Sequence, residues 1–248
     1  MLLSYFFLFI LGAVVGSFLG MLSWRLPRGL AITGRSTCDN CGKYISWRDN
    51  IPIFGWFFLR GKCRVCKKLF SLRYPIIEFL CALSFVLVGF IAQDLWELVF
   101  LLVFTSLSFA LLVVDLEHKI LPDKLTLLLG VVVFLFVFAL PSPLMFSRVI
   151  VGFFVFLFFL AIYLATSGRG MGFGDVKLSF VLGSALGYPY ILVWLFISFF
   201  TGALVGILLM ILGRAGFKSE IAFGPYLLVG VWITLFWGDV ILEYAHYI

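Results

Sequence analysis

The chain has 248 residues, of which 64% are hydrophobic, 19% aromatic and only 12% charged. Soluble domains usually carry about 25% charged residues, so this chain has too little polar material to cover a globule in water. The composition excludes a soluble enzyme and indicates a polytopic membrane protein. At about 20 apolar residues per helical span, the length allows about eight or nine spans and one modest polar segment.

The net charge of +6 is placed unevenly along the chain. Eleven of the 18 Lys and Arg residues lie between Trp24 and Arg73, where only two acidic residues occur. On a soluble protein this excess would suggest nucleic acid, but in a membrane protein it indicates a cytosolic segment next to anionic headgroups of the lipid bilayer. We therefore expect no nucleic-acid partner. The first apolar run, Met1–Leu22, has no basic leader or small-residue cleavage site, which predicts a retained span with its N-terminus outside.

Apolar runs predict eight spans, and the charges favour eight over seven. With eight spans, 17 of the 18 basic residues lie inside and only Arg148 lies outside, whereas omitting the short sixth span moves Arg214 and Lys218 outside. The sequence thus predicts an all-α polytopic membrane protein with about eight transmembrane helices. We divide it into a first helix over 1–23, a cytosolic insert over 24–74 and a seven-helix membrane domain over 75–248. The predicted spans are Met1–Leu22, Pro75–Ala92, Leu95–Val114, Leu125–Leu140, Arg148–Thr166, Leu178–Leu186, Pro189–Leu212 and Pro225–Tyr244.

Four of the five cysteines form two pairs that are separated by 21 residues. Each pair can present two thiolates to one metal, and two pairs complete a tetrahedral site, although this separation lies just beyond the usual interval. Two disulfides or four free thiols are the alternatives, and a cytosolic location disfavours disulfides. The spacing therefore predicts a structural zinc site that supplies much of the folding energy of the insert. Its ligands are Cys38, Cys41, Cys63 and Cys66.

Glycines and large apolar residues accompany these pairs in the insert. Gly42 follows the first pair directly and Gly61 comes two residues before the second, as close chain reversal requires. The apolar residues either pack around the metal or dip into the membrane interface, and the sequence leaves both possibilities open. They are Ile45, Trp47, Ile51, Phe54, Trp56, Phe57, Phe58 and Leu59. The fifth cysteine, Cys81, falls within the second span and is predicted to be a packing residue.

Two acidic residues stand out because carboxylates near hydrocarbon are costly and therefore candidates for function. Asp115 ends an apolar run at the inner boundary, and Asp175 follows a glycine-rich stretch, 168–174, on the same side. Two carboxylates that share a site cannot both ionise cheaply, so one would hold a proton while the other takes a proton from water, as in aspartic proteases. The glycines would supply left-handed torsions and let a substrate strand approach.

Other interpretations of the same residues stay open on residue chemistry alone. The glycines could permit close helix packing, and both aspartates could be solvated loop charges, with Asp175 as a helix N-cap. Alternatively, Asp115 and Asp175 could couple ions in a membrane transporter, although such carboxylates are expected nearer the bilayer midplane. A zinc-bearing membrane scaffold without chemistry is a further alternative.

Taken together, these elements resemble the bacterial type IV prepilin peptidases, membrane aspartic proteases that also serve type II secretion and competence pseudopilins. The resemblance covers nearly the whole chain, and its elements occur in the family's order. They are Gly16–Pro27, the two cysteine pairs with Asn50-Ile-Pro52 between them, Ser71–Glu78, Asp115–Asp123, Gly170–Leu178 with the Gly-x-Gly-Asp signature, and Phe223-Gly-Pro225. The chain departs from the pattern at Gly20, where the family often has Asn.

The resemblance implies that Asp115 and Asp175 are the catalytic aspartates of an endopeptidase at the cytosolic face of the bacterial inner membrane. Its substrate would be a prepilin or pseudopilin, whose basic leader is removed after a glycine. The resemblance also implies N-methylation of the new N-terminus with S-adenosylmethionine, an activity that accompanies the cysteine-rich segment. Asp123 would shape its loop and cap the next helix. We expect Glu78, Glu117 or Asp123 to attract the basic leader, unless Glu78 pairs with a basic group such as Arg73.

Overall fold

The computed structural model describes residues 2–38, 40–213 and 222–246. Eight helices of 14 or more residues occupy the positions of the eight predicted spans, and the described residues form no β-strand beyond two isolated bridges. The prediction of an all-α fold is therefore confirmed, and the predicted number of about eight transmembrane helices holds only approximately. The helices are α1 (Leu2–Arg25), the short α2 (Phe54–Phe58), α3 (Arg73–Ile91), α4 (Leu95–His118), α5 (Asp123–Phe138), α6 (Ser142–Ala165), α7 (Phe173–Leu186), α8 (Tyr190–Ile211) and α9 (Gly224–His246).

Within the described residues, six of these helices are long and apolar enough to cross a membrane: α1, α3, α4, α6, α8 and α9. The chain is thus a multi-pass membrane protein. The other two, α5 and α7, have 16 and 14 residues. At 1.5 Å per residue they measure about 24 Å and about 21 Å, which is less than the hydrocarbon core of about 30 Å.

Two helix starts differ from the prediction by five residues or more. Helix α6 begins at Ser142 instead of Arg148, and α7 begins at Phe173 instead of Leu178. Arg148 consequently lies inside α6, where its guanidinium donates a hydrogen bond to the carbonyl of Ala185 near the end of α7. Arg214 and Lys218, which contributed to the predicted number of spans, lie outside the described residues.

The chain forms two compact units, Met1–Ala110 and Leu111–Ile248. In the first unit, α1 and α3 pack along a seam of small residues. A Cβ atom added at Gly12 would lie 2.7 Å from the Cα atom of Ala82, and one at Gly16 would lie 2.8 Å from the Cα atom of Glu78. Small residues allow this close approach of two helix backbones in a membrane. Cys81 is fully buried in the first unit, as expected of a packing residue.

In the second unit, α7 packs against α5, α6, α8 and α9. Nine of its 14 residues are buried, so protein rather than lipid covers most of this short helix. Gly183 of α7 sits against Gly152 of α6, where an added Cβ atom would lie 3.1 Å from the Gly152 Cα atom. Helices α8 and α9 are joined by the indole N–H of Trp194, which donates to the carbonyl of Leu227 at 2.8 Å. This packing holds α7 firmly at the centre of its unit.

The insert between α1 and α3 contains two similar tight turns, one at each cysteine pair. The N–H of Cys38 donates to the carbonyl of Lys43, and the N–H of Cys63 donates to the carbonyl of Lys68, both at 2.9 Å. Gly42 adopts a left-handed torsion (φ 66°), as predicted, and Lys67 occupies the equivalent place in the second turn with φ 59°. The two cysteine pairs of the insert thus lie in turns of the same geometry.

Most of the large apolar residues of the insert face outward. Of the eight candidates, only Ile45, Trp56 and Leu59 are shielded, while Phe58 is 79% exposed. The possibility that the whole set packs around the metal is therefore wrong. The five exposed residues are Trp47, Ile51, Phe54, Phe57 and Phe58.

Candidate active site and metal centre

Asp115 lies in the last turn of α4 and is only 3% exposed. Its Oδ2 atom is buried and has no hydrogen-bond partner among the described residues. The helix closes just beyond it, because Lys119 adopts a left-handed torsion (φ 55°) and donates its N–H to the Asp115 carbonyl at 2.8 Å. The sequence therefore places a buried, incompletely hydrogen-bonded carboxylate at the end of an otherwise apolar helix.

Asp175 lies in the first turn of α7 and is 6% exposed. Its Oδ2 atom accepts the N–H of Gly172 at 3.2 Å, and the N–H of Gly224 also donates to this carboxylate. Gly172, not Asp175, is the N-cap, so the alternative in which Asp175 is the N-cap is wrong. Asp175 instead reaches back from the third helical position, as the acidic residue of a capping box does. The carboxylate therefore lies at the positive end of the helix dipole.

The two carboxylates face one point beside Gly224, the first residue of α9. A Cβ atom added at Gly224 would lie 3.0 Å from Oδ1 of Asp175 and closer still to Oδ2 of Asp115. No salt bridge to either aspartate occurs within the described residues. Two buried carboxylates without a cation between them are best accommodated by sharing one proton. The sequence prediction that Asp115 and Asp175 come together agrees with this geometry, whereas the contribution of Gly224 was missed.

The glycine-rich stretch before Asp175 acts mainly through packing. Among its four glycines only Gly168 has a left-handed torsion (φ 73°), so the predicted torsional role is wrong for Gly170, Gly172 and Gly174. A Cβ atom at Gly174 would lie 3.1 Å from the Cβ atom of Leu121. Gly174 therefore lets the α4–α5 loop pack over the start of α7, as the packing alternative proposed.

Asp123 has a different role from the one expected. Pro122 is the N-cap of α5 and no side chain caps this helix, so the predicted capping role is wrong. The Asp123 carboxylate instead forms an ion pair with Lys177 of α7, with Nζ–Oδ1 at 2.6 Å. This pair links the starts of α5 and α7 at the protein surface.

Glu78, one of the residues expected to attract a basic leader, is 8% exposed. Its Oε2 atom accepts the N–H of Ile53 at 2.6 Å instead of pairing with Arg73, whose guanidinium donates to Ser23 Oγ at 2.5 Å. Because it is buried and occupied by the insert backbone, Glu78 is a poor attractor of a leader. Glu117 and Asp123 remain as the acidic candidates.

The four paired cysteines form a cluster whose sulfur atoms all lie within 4.8 Å of one another. Cys38 Sγ and Cys66 Sγ are 3.8 Å apart, and a tetrahedral zinc site with Zn–S of about 2.3 Å requires a similar separation of about 3.8 Å. All four are free thiols, so the disulfide alternative is wrong. The arrangement fits a metal that prefers four sulfur ligands. The remaining two sulfurs belong to Cys41 and Cys63.

Local contacts shift the pKa values of two of these thiols in opposite directions. The backbone N–H of Lys68 lowers the pKa of the Cys66 thiol to about 6, and Asn40 supports this with a side-chain contact to the same sulfur. At Cys41 the N–H of Lys43 lowers the pKa, but desolvation and the neighbouring thiols outweigh it and raise the pKa to about 11. Closely spaced sulfurs therefore disfavour several thiolates at once, and a bound divalent cation would relieve this repulsion.

Comparison with known proteins agrees with this geometry. Residues 10–92 match the bacterial peptidase A24 N-terminal domain, and residues 102–207 match the type IV leader peptidase family. A prepilin leader peptidase/N-methyltransferase of Aeromonas salmonicida is 33% identical over 266 residues, which cover 95% of this chain and 91% of that protein. The chain belongs to the type IV leader peptidase family. Proteins of the same description from Pseudomonas putida (33% over 259 residues) and Pseudomonas aeruginosa (32% over 263 residues) each cover 94% of this chain and 90% of their own length.

Membership of this family makes the protein a peptidase, which confirms the enzyme class expected from the sequence. The four cysteines lie in the segment that matches the N-terminal domain, and both aspartates lie in the segment that matches the leader peptidase family. The ion-coupled transporter alternative is not supported. No solved structure matches the chain.

Proposed function

We propose that the protein removes the basic leader of type IV prepilins or pseudopilins, with Asp115 and Asp175 as its catalytic pair. The observation that carries this proposal is the convergence of two buried carboxylates on one point beside Gly224. The described relatives are named prepilin leader peptidases, which supports the choice of substrate. We place the reaction at the cytosolic face of the bacterial inner membrane, where the basic insert would lie against anionic headgroups.

The pair would hold one proton between its two carboxyl groups. The ionised carboxylate takes a proton from a water molecule, whose oxygen attacks the scissile carbonyl, while the protonated carboxyl donates a hydrogen bond to the carbonyl oxygen. The proton taken from water is then delivered to the leaving nitrogen, the C–N bond breaks, and the pair returns to its singly protonated state. The unpartnered Asp115 Oδ2 supports this chemistry, because a buried oxygen without a protein donor is available to water and substrate.

The test of the mechanism is a pair of conservative substitutions. Asp115→Asn and Asp175→Asn keep the shape of each side chain but remove the proton exchange, so each should abolish cleavage without unfolding the protein. Mass spectrometry of a co-expressed prepilin measures cleavage, and a thermal melt of the purified variant checks folding. Asp123→Asn is the matched control because this aspartate lies outside the pair, and it should retain substantial activity. Cleavage at a near wild-type rate by either pair variant would contradict the aspartic mechanism.

We also propose a structural zinc ion at the four cysteines. The 3.8 Å separation of Cys38 Sγ and Cys66 Sγ supports it, since four thiolates at such distances suit tetrahedral zinc. Bound there, the ion would hold the two tight turns together and stabilise an insert with little apolar core. Elemental analysis of the purified protein should find about one zinc per chain, and a zinc-free preparation with an intact insert would contradict the proposal.

Methylation of the new N-terminus is the proposed second activity, since the relatives are named as N-methyltransferases as well. Bound S-adenosylmethionine would supply a methyl group to the neutral amine, with the electron pair of the broken C–S bond left on sulfur and the amine proton released to solvent. Within the proposed three-part organisation of 1–23, 24–74 and 75–248, we place this activity in the insert and its flanking helix ends. The same mass spectrum that reads cleavage reads methylation, and full methylation by a chain lacking residues 35–68 would refute the assignment.

A further inference from the structure

The insert carries a group of large apolar side chains that the protein leaves uncovered. Phe54, Phe57 and Phe58 of the short helix α2 are 58–79% exposed, and Trp47 and Ile51, which precede them, are exposed as well. We call these five residues the apolar face of the insert. Single exposed apolar residues are normal on a protein surface, whereas a group of them marks a surface that meets a partner or a membrane.

The apolar face is rigid because α2 packs tightly on the rest of the insert. Gly55 is buried against the backbone of Asp49, so closely that an added Cβ atom would overlap the Asp49 carbonyl oxygen. The ring of Trp56 packs on Gly61, where an added Cβ atom would lie 2.6 Å from it. With these two residues of α2 turned inward, its three phenylalanines are held on the outside.

A buried carboxylate fixes the start of α2 to the membrane helices. Glu78, in the second turn of α3, accepts the N–H of Ile53 at 2.6 Å and also accepts a hydrogen bond from the hydroxyl of Ser17 in α1. Ile53 directly precedes α2 and has φ 64°. This torsion is a genuine outlier for a β-branched residue and persists only where the surrounding structure holds it. The hydrogen bond to Glu78 is such a restraint.

The length of α3 indicates the depth at which this restraint lies. Helix α3 has 19 residues and is apolar enough to cross a membrane. Its length of about 28 Å means that nearly all of it must lie within the hydrocarbon core of about 30 Å. Glu78 is about 7.5 Å along the axis from Arg73, the first residue of α3, and its side chain tilts back towards that first turn. Ile53 and the start of α2 therefore lie near the level at which headgroups meet acyl chains.

Basic side chains accompany the apolar face at both of its ends. Arg48 and Arg60 are exposed, and neither forms a salt bridge within the part of the chain that the structure describes. The Arg48 guanidinium lies 5.3 Å from the centre of the Trp47 ring. Arg64 differs from both because Asp49 compensates its charge at 2.6 Å. Aromatic residues beside uncompensated arginines are typical of segments that lie in the interface of an anionic membrane.

We propose that the apolar face of the insert is buried in the membrane interface, with Arg48 and Arg60 on the phosphates of anionic lipids. A bilayer surface matches both the phenylalanine side chains and the two positive charges, whereas the basic leader of a prepilin would be repelled by them. Glu78 is then a positioning residue, since it holds the start of α2 at the depth of the interface. The bilayer supports the insert at a third place besides α1 and α3, which gives a segment with little apolar core a fixed orientation.

Photo-crosslinking of the full-length protein in lipid nanodiscs tests the proposal. The photoreactive residue p-benzoylphenylalanine, placed at position 57, keeps an aromatic side chain there and reacts with C–H bonds around it. After illumination in equal amounts of phosphatidylglycerol and phosphatidylcholine, intact-mass spectrometry should find lipid attached to the protein. The matched control carries the same residue at position 44, because Tyr44 is also an exposed aromatic residue of the insert but follows the first cysteine turn. We expect no lipid adduct there.

The role of the two arginines is tested in the same assay. The adducts at position 57 should contain more phosphatidylglycerol than phosphatidylcholine. Arg48→Gln and Arg60→Gln should each lower this preference by up to about fivefold, the effect of one basic residue near an anionic surface. An unchanged preference in both variants would overturn the pairing of these arginines with anionic headgroups.

A second probe position keeps the test decisive if the protein labelled at position 57 does not fold. Position 54 lies on the same side of α2 (the Phe54 and Phe58 rings are 6.4 Å apart) and should also give lipid adducts. A wild-type melting curve shows that each labelled protein is folded. Folded protein without lipid adducts at either position, or with equal yields at positions 57 and 44, would overturn the proposal. Crosslinks to a second copy of the chain or to co-expressed prepilin in place of lipid would also overturn it.

Discussion

Replacing Gly224 with alanine would test the geometry of the carboxylate pair without altering either carboxylate. The added Cβ atom would lie 3.0 Å from Asp175 Oδ1 and closer still to Asp115 Oδ2, whereas ordinary van der Waals contact begins at 3.4 Å. At least one carboxyl group must therefore move, and Asp115 would have to shift by about 1 Å. Displacements of about 1 Å in a catalytic constellation cost roughly 100-fold in rate.

We therefore expect Gly224→Ala to slow prepilin cleavage by about 100-fold while the protein stays folded. Alanine is favoured over glycine in a helix by up to about 1 kcal/mol, so helix α9 should not be weakened. Initial cleavage rates with purified prepilin in detergent, together with a thermal melt, measure the two effects separately. The matched control is Gly130→Ala in α5, where the new Cβ atom would meet Val181 Cγ2 at an ordinary 3.4 Å. This control should keep its rate within about twofold and gain about 0.5–1 kcal/mol in stability.

Two results would decide against this reasoning. Wild-type cleavage by Gly224→Ala would mean that Asp115 and Asp175 need not face each other across this point during catalysis. An equal loss of rate in Gly130→Ala would mean that the assay reports helix packing in general and not the site.

Three further predictions concern the insert and the surface of the second unit. Removing zinc with a chelator should increase proteolysis of the insert more than it slows cleavage, and acidification should act in the same direction because protons compete with the metal for thiolates. Lys67→Gly should raise the chelator concentration needed to open the insert, since relief of the left-handed torsion (φ 59°) gains about 0.5–1 kcal/mol. Asp123→Asn should lower the unfolding free energy by no more than about 1 kcal/mol, because its ion pair with Lys177 is exposed, and a salt titration of the melting temperature checks this.

Much of the fold follows from the sequence because the membrane imposes simple rules. Runs of apolar residues located all eight helices of the membrane domain and its first span, since a backbone in lipid must satisfy its own hydrogen bonds. The need of polar groups in lipid for partners also drew attention to Asp115. A carboxylate at the end of an apolar helix costs free energy unless protein surrounds it. The cysteine spacing located the cluster of Cys38 and Cys66, because a short turn between paired cysteines leaves few arrangements other than a shared metal.

Helix starts were less accurate for identifiable reasons. Helix α6 begins at Ser142, with a proline in its first turn, and proline at the first helical position is a start signal that apolar runs do not reveal. One alternative made Asp175 the cap itself, but an acidic side chain can also reach back to the cap from the third helical position, as in a capping box. In this chain the preceding Gly172 is the cap, and only the hydrogen bond from its N–H to Asp175 distinguishes the two positions.

The contribution of Gly224 could not be read from sequence because it depends on how three helices meet. Glycine before proline at a helix start indicates a turn, and nothing local distinguishes that role from making room for two carboxylates. The ion pair of Asp123 with Lys177 was missed for the same reason, since its partners are 54 residues apart and on different helices. Contacts of this kind depend on tertiary packing, which local patterns do not encode.

The short length of α7 has a bearing on how a peptide bond could be hydrolysed at a membrane. A helix of about 21 Å cannot cross a hydrocarbon core of about 30 Å, so one of its ends must lie below the headgroup level if the other reaches it. This is tolerable here because α7 is covered by four neighbouring helices and not by lipid. Hydrolysis needs water next to carboxylates that are otherwise shielded. Asp175 lies in the first turn of such a helix, where neighbouring helices would shield it and water from the headgroup level would reach it. The N–H groups of Gly172 and Gly224 supply Asp175 with hydrogen bonds that lipid cannot, which favours a position at a helix start over one in the middle of a span.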